Sequence, residues 1–342
     1  MTWLSYQTPR FPGAPGTVTG SLELIRRGKR GTLIDCGLFQ GFKWLRRRNR
    51  KPLPFRPGSI KTVLLKHTRF DLSGYLPALI RAAIRGPAFC ATATRDSSGM
   101  ILHDSGHLKE EEAKYAPRKR YSEHKKPLTH YALKYTQVVL NHFETAEFEQ
   151  PVDLGGGPQA EFIPAGHPLG AAQSRLKTDN HTVHFSGDPG HASETALARA
   201  LKRVFGRGGI ARIPATAVDG AQEILHHITS FGGDRRNAIL QLEFRAGGTG
   251  GAELALGERR QRVFGREYQT DAEAIQLETF SGHADADEIL RWMAAGSARA
   301  MTYLTNGEPE ATDTLRRRVA HELGRRVRSP EHLETVRLDR PK

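Results

Sequence analysis

The stretch KHTRFDLSG at 66–74 places His67 and Asp71 four residues apart, directly behind an apolar, β-branched run at 62–65. A histidine and a carboxylate delivered at the end of a buried strand suit a metal ion, because a neutral imidazole nitrogen and a carboxylate oxygen both offer lone pairs to a dication. The positions between and after them do not. Arg69 carries five donors, no lone pair and a charge that does not come off, and Leu72 offers nothing. The stretch reads either as a metal site or as the remains of one.

The rest of the composition bounds what such a site can belong to. The 342 residues are 38% hydrophobic with 35 Gly and 19 Pro, the profile of a loop-rich globular chain of one large or two ordinary domains. No run of about 18 apolar residues occurs, and the start MTWLSYQTPRF lacks the regions of a signal peptide, so the expected location is the cytoplasm and no membrane is expected as a partner. Cys36 and Cys90 sit in apolar, strand-like surroundings and read as buried free thiols. Lys and Arg number 51 against 37 Asp and Glu, for a formal charge of +14. The excess is clustered at 43–51, 118–126, 200–212, 258–266 and 315–328, with Trp44, Tyr121 and Phe264 among the cations. Such a surface can track phosphates and stack on bases, which makes Arg46, Arg47, Arg48, Arg118, Lys119, Arg120 and Arg245 candidate RNA contacts. A solvated basic face would have the same composition.

The elements that must position the chemistry alternate between strand and helix. The segments 16–28 and 31–37 read as an antiparallel pair, 61–67 as a buried strand, 75–86 as a helix and 87–94 as another strand. A helix is expected to begin near Ser105, with a serine cap and the acidic first turn that follows, and another helical segment covers 129–143. Short strands ending in glycine-rich turns follow at 159–178 and 181–191, each with a polar residue at its tip. The tail reads as a capped helix at 285–296, a strand and turn at 300–311, and an amphipathic helix at 310–324 with an acidic start and a basic end.

The segments PGTVTGS, IDCGLFQG, LSGYLPALIRAAIRGP, ATRDSSGMILHDSGHLKEEEAKYA, PAGHPLGAAQSRL, FSGDPG, IPATAVDGAQE, FSGHADADEILRWM and LTNGEPEATDTLRRRV, in that order, resemble the metallo-β-lactamase-fold RNA-processing nucleases of the β-CASP group, over about residues 13 to 324. The resemblance implies an α/β fold, an αββα sandwich of two facing sheets with helices outside and metals at one edge. It assigns His67, Arg69, Asp71 and Leu72 to the four ligand positions of the H-x-H-x-D-H loop, His167 to the later single histidine, Asp188 to the bridging aspartate and Asn306 to a position normally histidine. His283 matches a further active-site histidine. By this mapping His67, Asp71, His167 and Asp188 are the surviving metal ligands, Arg69, Leu72 and Asn306 are the substituted ones, and Asp71 and His283 are the candidate catalytic residues.

Neither half-site then reaches the three protein ligands a catalytic zinc ordinarily takes, so the expected cofactor is none or a single zinc, with the di-zinc centre lost. The Arg69 guanidinium is expected to pair with Asp71 or Asp188 where metal charge would have been. The resemblance also implies a substantial β-CASP insertion, yet only about 90 residues separate Asp188 from His283. The expected organisation is a first part of the sandwich at 1–190, a remnant of the insertion at 191–260 and the closing part at 261–342. Three functions remain open. The preferred one is a degenerate homologue that binds RNA or an active nuclease partner with little or no hydrolysis. The second is a metal-dependent ribonuclease working with one ion held by His67, His167 and Asp188, and the third is a structural scaffold, with a second copy of the chain as a further possible partner.

Overall fold

The computed structural model describes residues 7–13, 15–118, 133–166, 170–178, 181–188, 211–212, 233–241, 254, 256–263, 266–276, 283–295 and 301–336. Its first sheet holds six strands in spatial order β1 (Gln7–Arg10), β2 (Glu23–Arg27), β3 (Arg30–Ile34), β4 (Ile60–Leu64), β5 (Ala88–Cys90) and β6 (Phe143–Thr145). β1 to β3 run antiparallel, and β3 to β6 run parallel. Parallel neighbours need crossovers, which here carry α1 (Lys43–Arg46), α2 (Phe70–Ser73), α3 (Leu76–Arg81), α4 (Thr92–Arg118) and α5 (Leu133–Leu140). The second sheet is antiparallel throughout, in the order β10 (Thr182–Phe185), β9 (Ala172–Lys177), β8 (Gln159–Pro164), β7 (Pro151–Asp153).

The two-residue period of the strands builds the layers. Leu24, Leu33 and Val63 face one way and join Leu76, Leu79, Ile101, Leu102 and Val139 from the helices. Their chain neighbours Ile25, Ile34 and Leu64 face the other way and meet Phe162, Ala172 and Leu176 of the second sheet. This double burial is why the central strands read as continuous apolar runs. On the outer face of the second sheet, the His184 ring of β10 meets Trp292 edge-on at 5.5 Å. Trp292 belongs to α6 (Ala286–Ala294), which opens with a complete capping box between Asp285 and Glu288 and packs Leu290 and Met293 on Val319 of α7 (Pro309–Leu323). Helices, sheet, sheet and helices form the αββα sandwich that the resemblance implies.

One long helix departs from the sequence reading. The strand at 87–94 stops at Cys90, and α4 starts at Thr92 and runs through the serine expected to cap it. Its buried side is formed by Thr94, Ser98, Ile101, Leu102 and Ser105. The helical period is present, but small hydroxyl residues carry much of it, so a reading of apolar spacing misses the first three turns. Cys36 and Cys90 are free and buried, as expected.

Past residue 188 the described segments form smaller units. β11 (Ala211–Arg212), β12 (Ala238–Gln241) and β15 (Glu273–Gln276) make a parallel sheet, and β13 (Arg260–Val263) and β14 (Arg266–Gln269) make a hairpin straddling residue 260. β16 (Thr302–Tyr303) pairs in parallel with β17 (Val327–Arg328). Among the described residues no helix is long and apolar enough to cross a membrane.

The turn bearing His67 and Asp71 is stitched to its neighbours by backbone hydrogen bonds: Ser21 N–H to the Asp71 carbonyl at 2.8 Å, Cys36 N–H to that of Leu72 at 2.6 Å, and Leu38 N–H to that of Phe70 at 3.2 Å. The approach is so close at Gly37 that a Cβ there would fall on the Asp71 carbonyl oxygen. Gly37→Ala should therefore destabilise the protein by about 3 kcal/mol, the upper range for overpacking. Gly58→Ala, where a Cβ meets nothing within 4 Å, should be nearly neutral. Thermal or urea denaturation of the two variants checks this; equal midpoints would remove the seam as a determinant of stability.

Candidate functional site

β4 ends at Leu64, and the turn that follows commits the His67 and Arg69 side chains to polar partners. His67 is 0% exposed. Its Nδ1 accepts the Arg69 backbone N–H at 3.2 Å, and its Nε2 lies 3.0 Å from Asp188 Oδ2. With Nδ1 accepting, the ring proton sits on Nε2 and is donated to the carboxylate. Burial opposes ionisation of Asp188, but the hydrogen bond from His67, with His283 and Arg69 nearby, outweighs it and holds the carboxyl well below the usual range. The nitrogen best placed to face an ion at this edge is thus occupied by a proton shared with the residue that would bridge two ions.

Arg69 reaches two of the expected site residues. Its Nε lies 3.4 Å from Asp71 Oδ1, and its Nη1 donates to His283 Nε2 at 3.1 Å. The pairing with Asp71 is longer than the hydrogen bond expected from the sequence, and the contact with His283, 214 residues away, was not foreseen. Asp188 takes His67 instead. Leu72 is 0% exposed and belongs to the core rather than to the site. Asn306 adopts left-handed backbone, φ 58°, and its buried Oδ1 meets no donor among the described residues. His167 lies outside the described residues, as do Lys119, Arg120 and Arg245. Arg46, the last residue of α1, and Arg47, which follows it, are exposed, whereas Arg48 is part-buried, its guanidinium 5.3 Å from the Phe39 ring and 5.1 Å from that of Trp44.

Beneath this edge lies a charged cluster the sequence reading passed over. Lys66 Nζ sits 2.9 Å from Asp35 Oδ2, with the side chains 4% and 0% exposed, and the Lys66 N–H donates to Asp35 Oδ1 at 3.0 Å. Ser21 Oγ donates to Asp35 Oδ2 at 3.2 Å, and a Cβ on Gly187 would come within 3.2 Å of the Lys66 stem. Burial alone would strip the Lys66 proton, but Asp35 and Glu23 hold the ammonium charged, with a further contribution from Asp188. Glu23 is buried beside them and its carboxyl is raised from 4.5 to about 7, chiefly by burial, while Lys66 and a hydrogen bond with Thr305 act in the opposite sense. The available signal was a single charged residue inside an apolar run, three times over: Glu23 between two leucines, Asp35 between Ile34 and Cys36, Lys66 between Leu65 and His67.

The zinc pair implied by the resemblance can be tested against this donor set. Among the described residues no three His, Cys, Asp or Glu side chains converge to hold an ion, and the second histidine position is filled by a guanidinium. Arg69 and Leu72 bring no lone pair, so the described residues alone do not supply the donor set of a di-zinc centre, and His167 lies outside them.

Glu23 gives the cluster a pH signature. A carboxyl raised on folding contributes stability that is intact below its unfolded value of 4.5 and is lost as pH rises through its folded value of about 7. Wild-type stability should fall across that window, by up to roughly 1.4 kcal/mol per pH unit. Glu23→Gln should reduce the slope, leaving the part due to the Asp35 carboxyl, which burial also raises. Urea midpoints between pH 4.5 and 8 measure it; the same slope in both proteins would assign the dependence to another group.

Comparison with known proteins agrees with the motif order and the fold. Residues 268–330 match the family described as the Zn-dependent metallo-hydrolase RNA specificity domain. The chain is 28% identical over 290 residues to Ribonuclease TTHA0252 of Thermus thermophilus, covering 75% of this chain and 62% of that protein. It is 25% identical over 236 residues to Transcription termination factor FttA of Methanosarcina mazei, covering 56% of this chain and 34% of that one. The chain thus spans less than two thirds of the length of either relative. A crystal structure of a protein of unknown function from Enterococcus faecalis superposes with a TM-score of 0.52 at 12% identity, over 98% of this chain and 100% of the other, which concerns the fold alone. The ordered motifs, the αββα sandwich and these relatives agree in making the chain similar to the metallo-β-lactamase-fold RNA-processing nucleases of the β-CASP group.

Proposed function

We propose that the chain is a degenerate member of this family that binds RNA with little or no hydrolysis. The observation that carries the reading is charge pairing at the strand ends: Asp188 with His67 at 3.0 Å, Asp71 with Arg69 at 3.4 Å, and Asp35 with Lys66 at 2.9 Å. Each carboxylate that would attract a dication at or below this edge already has a tethered protein cation or proton donor, so an arriving ion must displace one and meet the fixed charge of Arg69. The formal charge of +14 and the RNA-directed relatives favour RNA as the partner. An active nuclease subunit remains the alternative partner, for which no contact surface is assigned. The short stretch between Asp188 and His283 argues against the positioning of substrate that in-line attack requires.

Elemental analysis of the purified protein after zinc or manganese loading, together with RNA titrations across ionic strength, tests the proposal. The expected result is far less than one equivalent of metal, no turnover of single-stranded RNA, and an affinity whose logarithm falls against log salt with a slope of about 0.7 per neutralised phosphate. Two equivalents of zinc with ribonuclease activity abolished by Asp188→Ala would overturn it. One equivalent, with activity lost in His67→Ala, would establish the one-ion hydrolase instead. Arg69→His combined with Asn306→His should raise metal uptake while leaving cleavage negligible; adding Leu72→His should lower stability, since Leu72 is wholly buried.

A further inference from the structure

A cleft separate from the strand-end site is lined by Phe39, Arg48, Asn49, Lys51, Tyr75 and His332, with a volume of about 110 Å3. Its walls are held firmly. Asn49 Nδ2 donates to the Phe39 carbonyl at 2.7 Å, and Asn49 Oδ1 accepts the Phe39 N–H at 2.8 Å, which fixes the turn bearing Arg48 against the Phe39 backbone. Opposite, His332 meets the Phe39 ring edge-on at 6.3 Å, and its buried Nδ1 has no hydrogen-bond partner among the described residues. The next residue, Leu333, adopts φ 71°, a region bulky side chains rarely occupy. That conformation is secured by the Leu333 N–H to the Phe11 carbonyl at 2.8 Å, by Glu331 N–H to Glu334 Oε2 at 2.8 Å, and by the Arg328–Glu334 ion pair at 2.7 Å. Strain retained by so many ties marks a position held for a purpose.

The cleft is electropositive. His332 is driven down to about 4, first by burial and then by Arg48, Lys51 and Arg10, so at neutral pH its ring is uncharged among three cations. Among the described residues none of the three cations takes part in an ion pair, although Arg10 donates to the carbonyls of Pro54 and Leu333. An unpartnered imidazole nitrogen and unpaired cations around one small cavity are complementary to a compact anion with several acceptor oxygens. Trp44, whose ring lies 5.1 Å from the Arg48 guanidinium, is 55% exposed, a face suited to a base.

We propose that this cleft receives the phosphomonoester of a nucleotide, with Lys51, Arg48 and His332 on the phosphate and Trp44 stacked on the base, either as a free mononucleotide or as the phosphorylated end of an RNA strand. The inference deepens the RNA-binding reading and rests on it for the strand-end case. Calorimetric titration of the full chain with adenosine 5′-monophosphate, adenosine and inorganic phosphate, and with a short RNA bearing or lacking a 5′-phosphate, tests it. The monophosphate should bind at least tenfold more tightly than adenosine and than inorganic phosphate, and the 5′-phosphorylated RNA more tightly than its hydroxyl counterpart. Lys51→Ala and His332→Gln should each weaken the monophosphate at least fivefold, whereas Lys61→Ala, at the far end of β4, should not. Lys51 is exposed, so its variant stays informative if His332→Gln lowers the melting temperature. Equal binding of monophosphate and adenosine, or of the Lys51 and Lys61 variants, overturns the inference; inorganic phosphate binding as tightly as the nucleotide overturns the base contact. Salt-dependent RNA binding indifferent to Lys51 and to the 5′-phosphate removes the cleft but leaves the RNA reading standing. Monophosphate binding without RNA binding does the reverse.

Discussion

A lysine held charged inside the sandwich is the constraint on which the strand-end edge depends. Lys66 and Asp35 are almost wholly withdrawn from water, and each costs several kcal/mol to desolvate unless the other is present. Their pairing joins the end of β3 to the end of β4. It also sets where the next residue begins, because His67 follows Lys66 directly and leaves the strand pointing at Asp188. Glu23 brings the end of β2 into the same cluster, and Gly187 lets the loop after β10 lie on the lysine stem. Removing either member of the Lys66–Asp35 pair leaves an unpaired buried charge, so this edge is fixed as a unit.

That arrangement changes the meaning of the substituted positions above it. Seen alone, Arg69 is a lost ligand. With Lys66 below and His67 beside it, Arg69 completes a row of cationic or proton-donating groups facing Asp35, Asp188 and Asp71. A dication concentrates two charges at one point and needs lone pairs around it; here a comparable charge is spread over side chains that bring their own donors. On the degenerate reading proposed above, these side chains supply the charge balance of the edge and hold its loops in place where ligand positions are substituted. The same substitution ties the loop to His283 through Arg69 Nη1, so the closing segment of the chain is connected to the turn after β4 by a hydrogen bond.

Most of the fold was legible because its signals are local. β2, β3 and β4 announce themselves by apolar, β-branched runs, and α6 by an aspartate cap with glutamate three residues on, a pairing found intact. The start of α4 was hidden because Thr94, Ser98 and Ser105 occupy buried positions where a periodicity reading counts only apolar residues. Of the site, the positions nearest to His67 in sequence could be read, since the ligand chemistry of Arg69 and Leu72 is a property of the side chains themselves. Their partners could not. Whether Arg69 meets Asp71, Asp188 or His283 depends on how loops far apart in the chain come together, and the Lys66 cluster exists only once three strand ends are side by side.

The cleft of Arg48, Lys51 and His332 extends the same contrast to the other side of that turn. At the strand ends Asp35 and Asp71 meet cations at 2.9 and 3.4 Å, and Asp188 meets the His67 ring at 3.0 Å. Around His332 the cations outnumber the acids: three depress one imidazole, and no carboxylate pairs with them among the described residues. Like charges drawn together at the rim of a cavity repel, and an isolated chain would spread them by rotating long side chains into solvent. Here Arg48 instead lies near the rings of Phe39 and Trp44, and the loop presenting His332 keeps a left-handed leucine through bonds to Phe11 and β17. A bound anion would offset the repulsion among these cations. The strand-end edge is therefore the balanced part of the molecule, and the basic cleft beside it is the part whose electrostatics still call for a ligand.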